Sequence, residues 1–69
     1  MNRVPVTSSN VASVGYDAAS QTLEVEFLDG ALYQYFDVPS GVHDGLLGAA
    51  SVGGYLNQNV KNTFRYAKL

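Results

Sequence analysis

The clearest pattern in the chain is a two-residue period. Across residues 22–28, Leu23, Val25 and Phe27 alternate with Glu24 and Glu26, the signature of a half-buried strand. Residues 11–16 repeat it more weakly, with Val14 and Tyr16 on one face and Gly15 between them. Asp29-Gly30 is a hairpin turn pair, so a third strand follows over 31–38 and stops at Pro39, which cannot donate to a ladder. Beyond Pro39 the period lengthens. Val42, Leu46, Leu47 and Ala50 fall near one stripe of a short helix over 40–48, with Ser40 as its cap. Val52, Leu56, Val60 and Phe64, spaced i, i+4, i+8 and i+12, predict a second helix over 51–63 capped by Ser51. Residues 65–69 read either as a helix end or as a short strand. Residues 1–9 show no apolar period and contain Pro5 and Thr7-Ser8-Ser9, which predicts a flexible arm ahead of a single domain over 10–69. The expected fold is α+β: a three-stranded antiparallel meander with two short helices packed on its apolar face.

The facing of Tyr33 and Tyr35 depends on the turn. A two-residue loop pairs Leu28 with Ala31 and sets both tyrosines beside Glu24 and Glu26 on the wet face. A three-residue loop, Leu28-Asp29-Gly30 with Gly30 left-handed, pairs Phe27 with Ala31. It then sets Tyr33 opposite Val25 and Tyr35 opposite Leu23 on the core face. A one-residue slip moves the whole set to the other side. The first register buries the Gln34 amide at about 1–3 kcal/mol and forfeits roughly 1.5–3 kcal/mol of burial per ring. The second is favoured, and it makes the tyrosines mainly structural. It leaves Leu28, Leu32 and Phe36 on the wet side.

Composition narrows the chemistry. With 69 residues, 46% of them apolar and none of them cysteine, the chain is a small globule with no disulfide, thiolate nucleophile or zinc ribbon. One histidine and scattered acids fit neither zinc nor a calcium loop, so no metal or cofactor is expected. There is no membrane-length apolar run and no signal-peptide layout, which predicts a cytoplasmic location. His43 lacks an orienting partner, because Asp44 at i+1 points away on a helix, and a solvated position is expected for it. Glu24 and Glu26 read as ordinary acids on a wet strand face, not as an acid/base pair. No enzyme is implied.

The net charge is −2, but its placement is uneven: all six acids precede residue 51, while Lys61, Arg65 and Lys68 follow it. Cations in one segment can hold a few phosphates, or simply complement a helix C-terminus. Ser51 with Gly53 and Gly54 forms a helix start that could present backbone N–H groups to an anion, although the glycines serve equally to let the helix pack closely.

These motifs come in a fixed order: Val14-Gly15-Tyr16-Asp17, Leu23-Glu24-Val25-Glu26-Phe27, Gly30, Tyr33-Gln34-Tyr35, Val38-Pro39 and Ser51-Val52-Gly53-Gly54-Tyr55-Leu56-Asn57. The chain thereby resembles the KTSC domain over about residues 8–67. That domain is named from the C-terminus of some lysyl-tRNA synthetases and is found also as small stand-alone bacterial and phage proteins. The resemblance implies a stand-alone binding domain with RNA as its suggested partner. The expected contact side is Ser51, Gly53, Gly54, Asn57, Gln58, Lys61, Arg65 and Lys68. The alternative is a protein–protein accessory module, meeting its partner through an edge strand or the Leu28, Leu32 and Phe36 patch. A monomer is expected.

Overall fold

The fold is that of a computed structural model, which describes all 69 residues. Seven elements follow in order: β1 (Arg3–Pro5), β2 (Val11–Asp17), β3 (Thr22–Phe27), β4 (Leu32–Tyr35), α1 (Ser40–Gly48), α2 (Val52–Asn59) and β5 (Tyr66–Lys68). The five strands form one antiparallel sheet in the order β1-β2-β3-β4-β5. The expected α+β meander is therefore present as its centre, and the count of three strands is corrected to five. The two added strands are three residues each, too short to display a period, and both lie at sheet edges. Arg3–Pro5 thus forms a strand where the sequence predicts only an arm, and residues 66–68 take the strand alternative.

The hairpin adopts the three-residue loop. Phe27 N–H donates to Ala31 O at 2.8 Å, Gly30 N–H donates to Phe27 O at 3.0 Å, and Gly30 sits at φ 92°. Only glycine takes that conformation without strain. The Asp29 carboxylate accepts the Ala31 N–H at 2.9 Å and braces the turn. Val25 then faces Tyr33, Leu23 faces Tyr35 and Glu24 faces Gln34. In β2 the register shifts between Val11 and Ser13, leaving Ala12 as a bulge residue. Val11 and Val14 are an odd number of positions apart, and the bulge is what turns both toward the interior.

The core lies between the inner sheet face and the helices. Val11, Val14, Leu23, Val25 and Tyr35 from the sheet meet Val38, Leu46, Val52, Leu56 and Val60. Within α1 the inner position is Leu46, whereas Leu47 is exposed. Ser40 does not cap α1: Pro39 occupies the N-cap position with no side-chain bond. Ser51 does cap α2, its hydroxyl oxygen accepting the Gly54 N–H at 3.1 Å. The helices cross closely because Gly45 has no side chain; a Cβ there would lie 2.3 Å from the Tyr55 hydroxyl.

Helix α2 ends at Asn59, short of the expected residue 63. At Val60 the backbone leaves helical geometry (φ −122°, ψ −53°), and the Val60 and Lys61 N–H groups both donate to Leu56 O at 3.0 Å. Val60 is still buried and Phe64 still packs on the core, so the apolar spacing is met by a turn instead of a helix. That early stop determines how much of the sheet the helices cover. Truncating Leu56, fully buried, to alanine is expected to cost about 2–5 kcal/mol, most of the stability of so small a domain. Leu47→Ala is expected to stay within about 0.5 kcal/mol. Urea unfolding of the two variants checks this contrast.

Candidate functional site

Strand alternation directs Tyr33 and Tyr35 to the inner face and Gln34 to the outer one. Strand β5 sets Lys68 opposite Tyr33 and Tyr66 opposite Tyr35, on the same inner face. The chain leaves α2 at Asn59 and turns back through residues 60–65 into β5, so the β4–β5 end of that face is only partly covered. The result is a cleft of about 420 Å³ lined by Phe27, Asp29, Ala31, Tyr33, Tyr35, Lys61, Asn62, Tyr66 and Lys68.

Burial grades across the tyrosines. Tyr35 is 2% exposed, Tyr33 is half-buried and Tyr66 is 58% exposed. Their rings form one cluster: Tyr33 and Tyr35 lie 6.3 Å apart at 17°, and Tyr66 lies 5.8 Å from each at 44° and 42°. Phe27 abuts Tyr33 edge-on at 5.6 Å. The Lys61 ammonium lies 5.3 Å from the Phe27 ring centre and that of Lys68 lies 5.9 Å from the centre of Tyr33. Burial, and then the neighbouring Tyr33 and Tyr66, push the Tyr35 phenol above its ordinary value of 10.0. The charge at the cleft therefore comes from Lys61, Lys68 and Asp29. The tyrosine pair is interior packing at Tyr35 and cleft wall at Tyr33, so the core and the cleft wall are one continuous surface.

Of the basic and polar residues singled out in the sequence, Lys61 and Lys68 reach this cleft. Arg65 turns away; it pairs with Asp37 Oδ2 at 3.0 Å and lies 5.7 Å over the Phe36 ring. Asn57 and Gln58 are exposed on α2, outside the cleft lining. Ser51, Gly53 and Gly54 sit at the opposite end of α2. There the Ser51 hydroxyl is taken by Gly54, and a Cβ on Gly53 would meet the Asn10 side chain at 2.4 Å. Close packing is thus what Gly53 provides. Tyr66, Asn62 and Asp29 also line the cleft; Tyr66 was not legible there because residues 65–69 read either as a helix end or as a strand, and Asn62 and Asp29 lie in turns whose facing no period reports.

His43 is half-buried, not solvated. Its ring stacks on Tyr16 at 4.7 Å and 11°, and its Nδ1 is 3.9 Å from Asp44 Oδ1. Tyr16 in turn donates its hydroxyl to the Val38 carbonyl, so the pair fastens α1 to the sheet.

The outer face carries a polar network in place of the expected wet pair of acids. Glu24 is 6% exposed. Its carboxylate accepts from Arg3 Nη1 at 2.5 Å and from Gln34 Nε2 at 2.9 Å. Arg3 Nε donates to Ser13 Oγ at 3.1 Å, and the Ser13 hydroxyl donates to Glu26 at 3.0 Å. Gly15 makes room for the first residues, since a Cβ there would approach Asn2 O at 2.8 Å.

Residues 7–64 match the KTSC domain. The chain belongs to this family. A protein of Tsukamurella paurometabola is 46% identical over 65 residues, which is 94% of this chain and 97% of that protein. A protein of Stutzerimonas stutzeri is 47% identical over 70 residues. A lysine–tRNA ligase of Nostoc punctiforme is 36% identical over 61 residues, 88% of this chain but 11% of the ligase. The crystal structure of a KTSC domain protein from Yersinia pestis superposes with a TM-score of 0.93 at 36% identity, covering 99% of this chain and 96% of that one. This chain's five-stranded sheet with two helices on one face is thus shared with a KTSC domain protein.

The Glu24 network gives a pH prediction. The Gln34 hydrogen bond, opposed by burial and reinforced by Arg3, holds the Glu24 carboxyl below its ordinary value of 4.5. A depressed folded-state pKa means that this stabilisation is complete above pH 4.5 and is lost as pH falls through the folded value. Glu24→Gln is expected to be less stable at neutral pH and to lose less stability on acidification. Urea midpoints at about pH 7 and about pH 3 check both signs.

Proposed function

We infer that this KTSC domain is a non-enzymatic module that binds RNA at the tyrosine–lysine cleft. The observation that carries the reading is the joint presence of an open aromatic cluster and two ammonium groups on one concave surface. Bases stack on exposed aromatic rings at about 1–3 kcal/mol each, and lysines neutralise the phosphates between them. Similarity to part of the lysine–tRNA ligases supports RNA as the polymer. The acids that argue against a polyanion on the sheet, Glu24 and Glu26, lie on the other face from the cleft.

A protein partner on Leu28, Leu32 and Phe36 is the weaker reading. Leu28 is 61% exposed, but Leu32 is half-buried and Phe36 lies beneath Arg65.

Two lysines give modest, salt-sensitive affinity, in the range of about 10⁻⁴–10⁻⁶ M. Fluorescence anisotropy with a labelled single-stranded RNA at about 50 mM salt tests the reading. The affinity is expected to fall with salt at a log–log slope near −1.4, about 0.7 for each of two phosphate contacts. Lys61→Glu with Lys68→Glu abolishes binding, whereas Asn57→Ala with Gln58→Ala leaves it intact. Absence of binding, or binding indifferent to the double lysine change, overturns the reading.

A further inference from the structure

The sheet ends in two unlike edges. In an antiparallel ladder the backbone groups of alternate residues point toward the neighbouring strand, and those between them point away. On β1, the Val6 N–H donates to Ala12 O at 3.2 Å, so Val4 faces β2 while Arg3 and Pro5 face outward. Proline has no N–H, so the outward row of β1 is interrupted and that edge is blunted. On β5, Arg65 O accepts the Phe36 N–H at 2.8 Å and the Leu69 N–H donates to Leu32 O at 2.8 Å. Arg65, Ala67 and Leu69 therefore face β4, and the N–H and C=O groups of Tyr66 and Lys68 point away from the sheet. Both residues are exposed, and no strand lies beyond them. The β5 segment Tyr66-Ala67-Lys68 carries neither a proline nor an acid to blunt this row.

The open row is complementary to itself. Two copies of β5 laid antiparallel, with Ala67 against the partner's Ala67, set Tyr66 opposite the partner's Lys68 and Lys68 opposite the partner's Tyr66. Each Tyr66–Lys68 pair then exchanges both its backbone hydrogen bonds and brings an ammonium beside an open ring. Between them the alanines form the close, non-hydrogen-bonded pair, where a small side chain fits. Other registers lose this match. One sets Lys68 against the partner's Lys68, a like-charge contact, and another sets Tyr66 against the partner's Tyr66 and carries Lys68 past the end of the partner's strand. We propose that the protein self-associates through β5, two copies joining their sheets edge to edge about a two-fold axis. Residues opposite one another share a face, so the partner's Lys68 joins Tyr66 in the cleft wall and the two clefts open side by side. The pairing does not rest on the RNA-binding reading. A three-residue strand buries little surface, so the pair is weak and dissociates on dilution.

Sedimentation equilibrium from about 10 μM to about 1 mM protein tests the pairing. The mass is expected to rise from 7.4 kDa toward twice that value. Ala67→Glu sets two carboxylates face to face across the axis, and Lys68→Pro removes an outward N–H without breaking a bond to β4. Both variants are expected to stay at 7.4 kDa throughout, with melting curves at low concentration showing that they are folded. A cysteine reports the register directly. The chain has none of its own, and Cα atoms of a non-hydrogen-bonded antiparallel pair lie about 4.5 Å apart, within disulfide reach. Under mild oxidation Ala67→Cys is expected to form a covalent dimer about ten-fold faster than Leu28→Cys, which is exposed at the hairpin. A wild-type mass of 7.4 kDa at every concentration overturns the proposal, as does crosslinking of Leu28→Cys as fast as that of Ala67→Cys.

Discussion

The molecule depends on one register. The three-residue turn ending at Gly30 fixes β4 against β3 so that Tyr33 and Tyr35 share a face with Val25 and Leu23. A slip of one residue would drive the Gln34 amide into the core and put both rings on the side of Glu24. The native register does the reverse and lets Gln34 complete the hydrogen bonding of a buried carboxylate. Both faces of the sheet are therefore satisfied by the same choice. A left-handed glycine in the turn is the local requirement for it.

From that register the cleft follows with little extra construction. Once the tyrosines point inward, the helices seal the part of the face nearest β2 and β3. Helix α2 stops at Asn59, and the chain returns to the sheet as β5. What remains uncovered is a row of rings running from a sealed Tyr35 to an open Tyr66. The site is an extension of the core: the packing that orients Tyr35 also holds the rings a ligand would meet. Such support restricts ring motion before binding and lowers the ordering cost of stacking.

The central elements were legible in the sequence because their patterns are long enough to show a period. Alternation in residues 22–28, the Asp29-Gly30 turn and the four-residue spacing from Val52 to Phe64 each predict an element that the fold contains. The turn register was legible too, from the relative cost of burying an amide or exposing two rings. The edges were not. Arg3–Pro5 and Tyr66–Lys68 have three residues apiece, and what holds them is distant in sequence: an Arg3–Glu24 ion pair for one, the tyrosine cluster for the other. Leaving residues 65–69 open between a helix end and a strand also hid the cleft, because Lys68 was visible only as a charge and Tyr66 had no predicted facing. The mainly structural reading of the tyrosines describes Tyr35, which is 2% exposed, whereas Tyr33 also lines the cleft, because one face is roofed over β3 and open over β5.

The most direct test of this account is a map of amide chemical shifts in the ¹⁵N-labelled protein as single-stranded oligo-A is added. The account predicts perturbations concentrated on Tyr33, Lys61, Tyr66 and Lys68. Perturbations centred on the Ser51–Gly54 helix start or on the Leu28 and Phe36 face, or an unchanged spectrum, would contradict it.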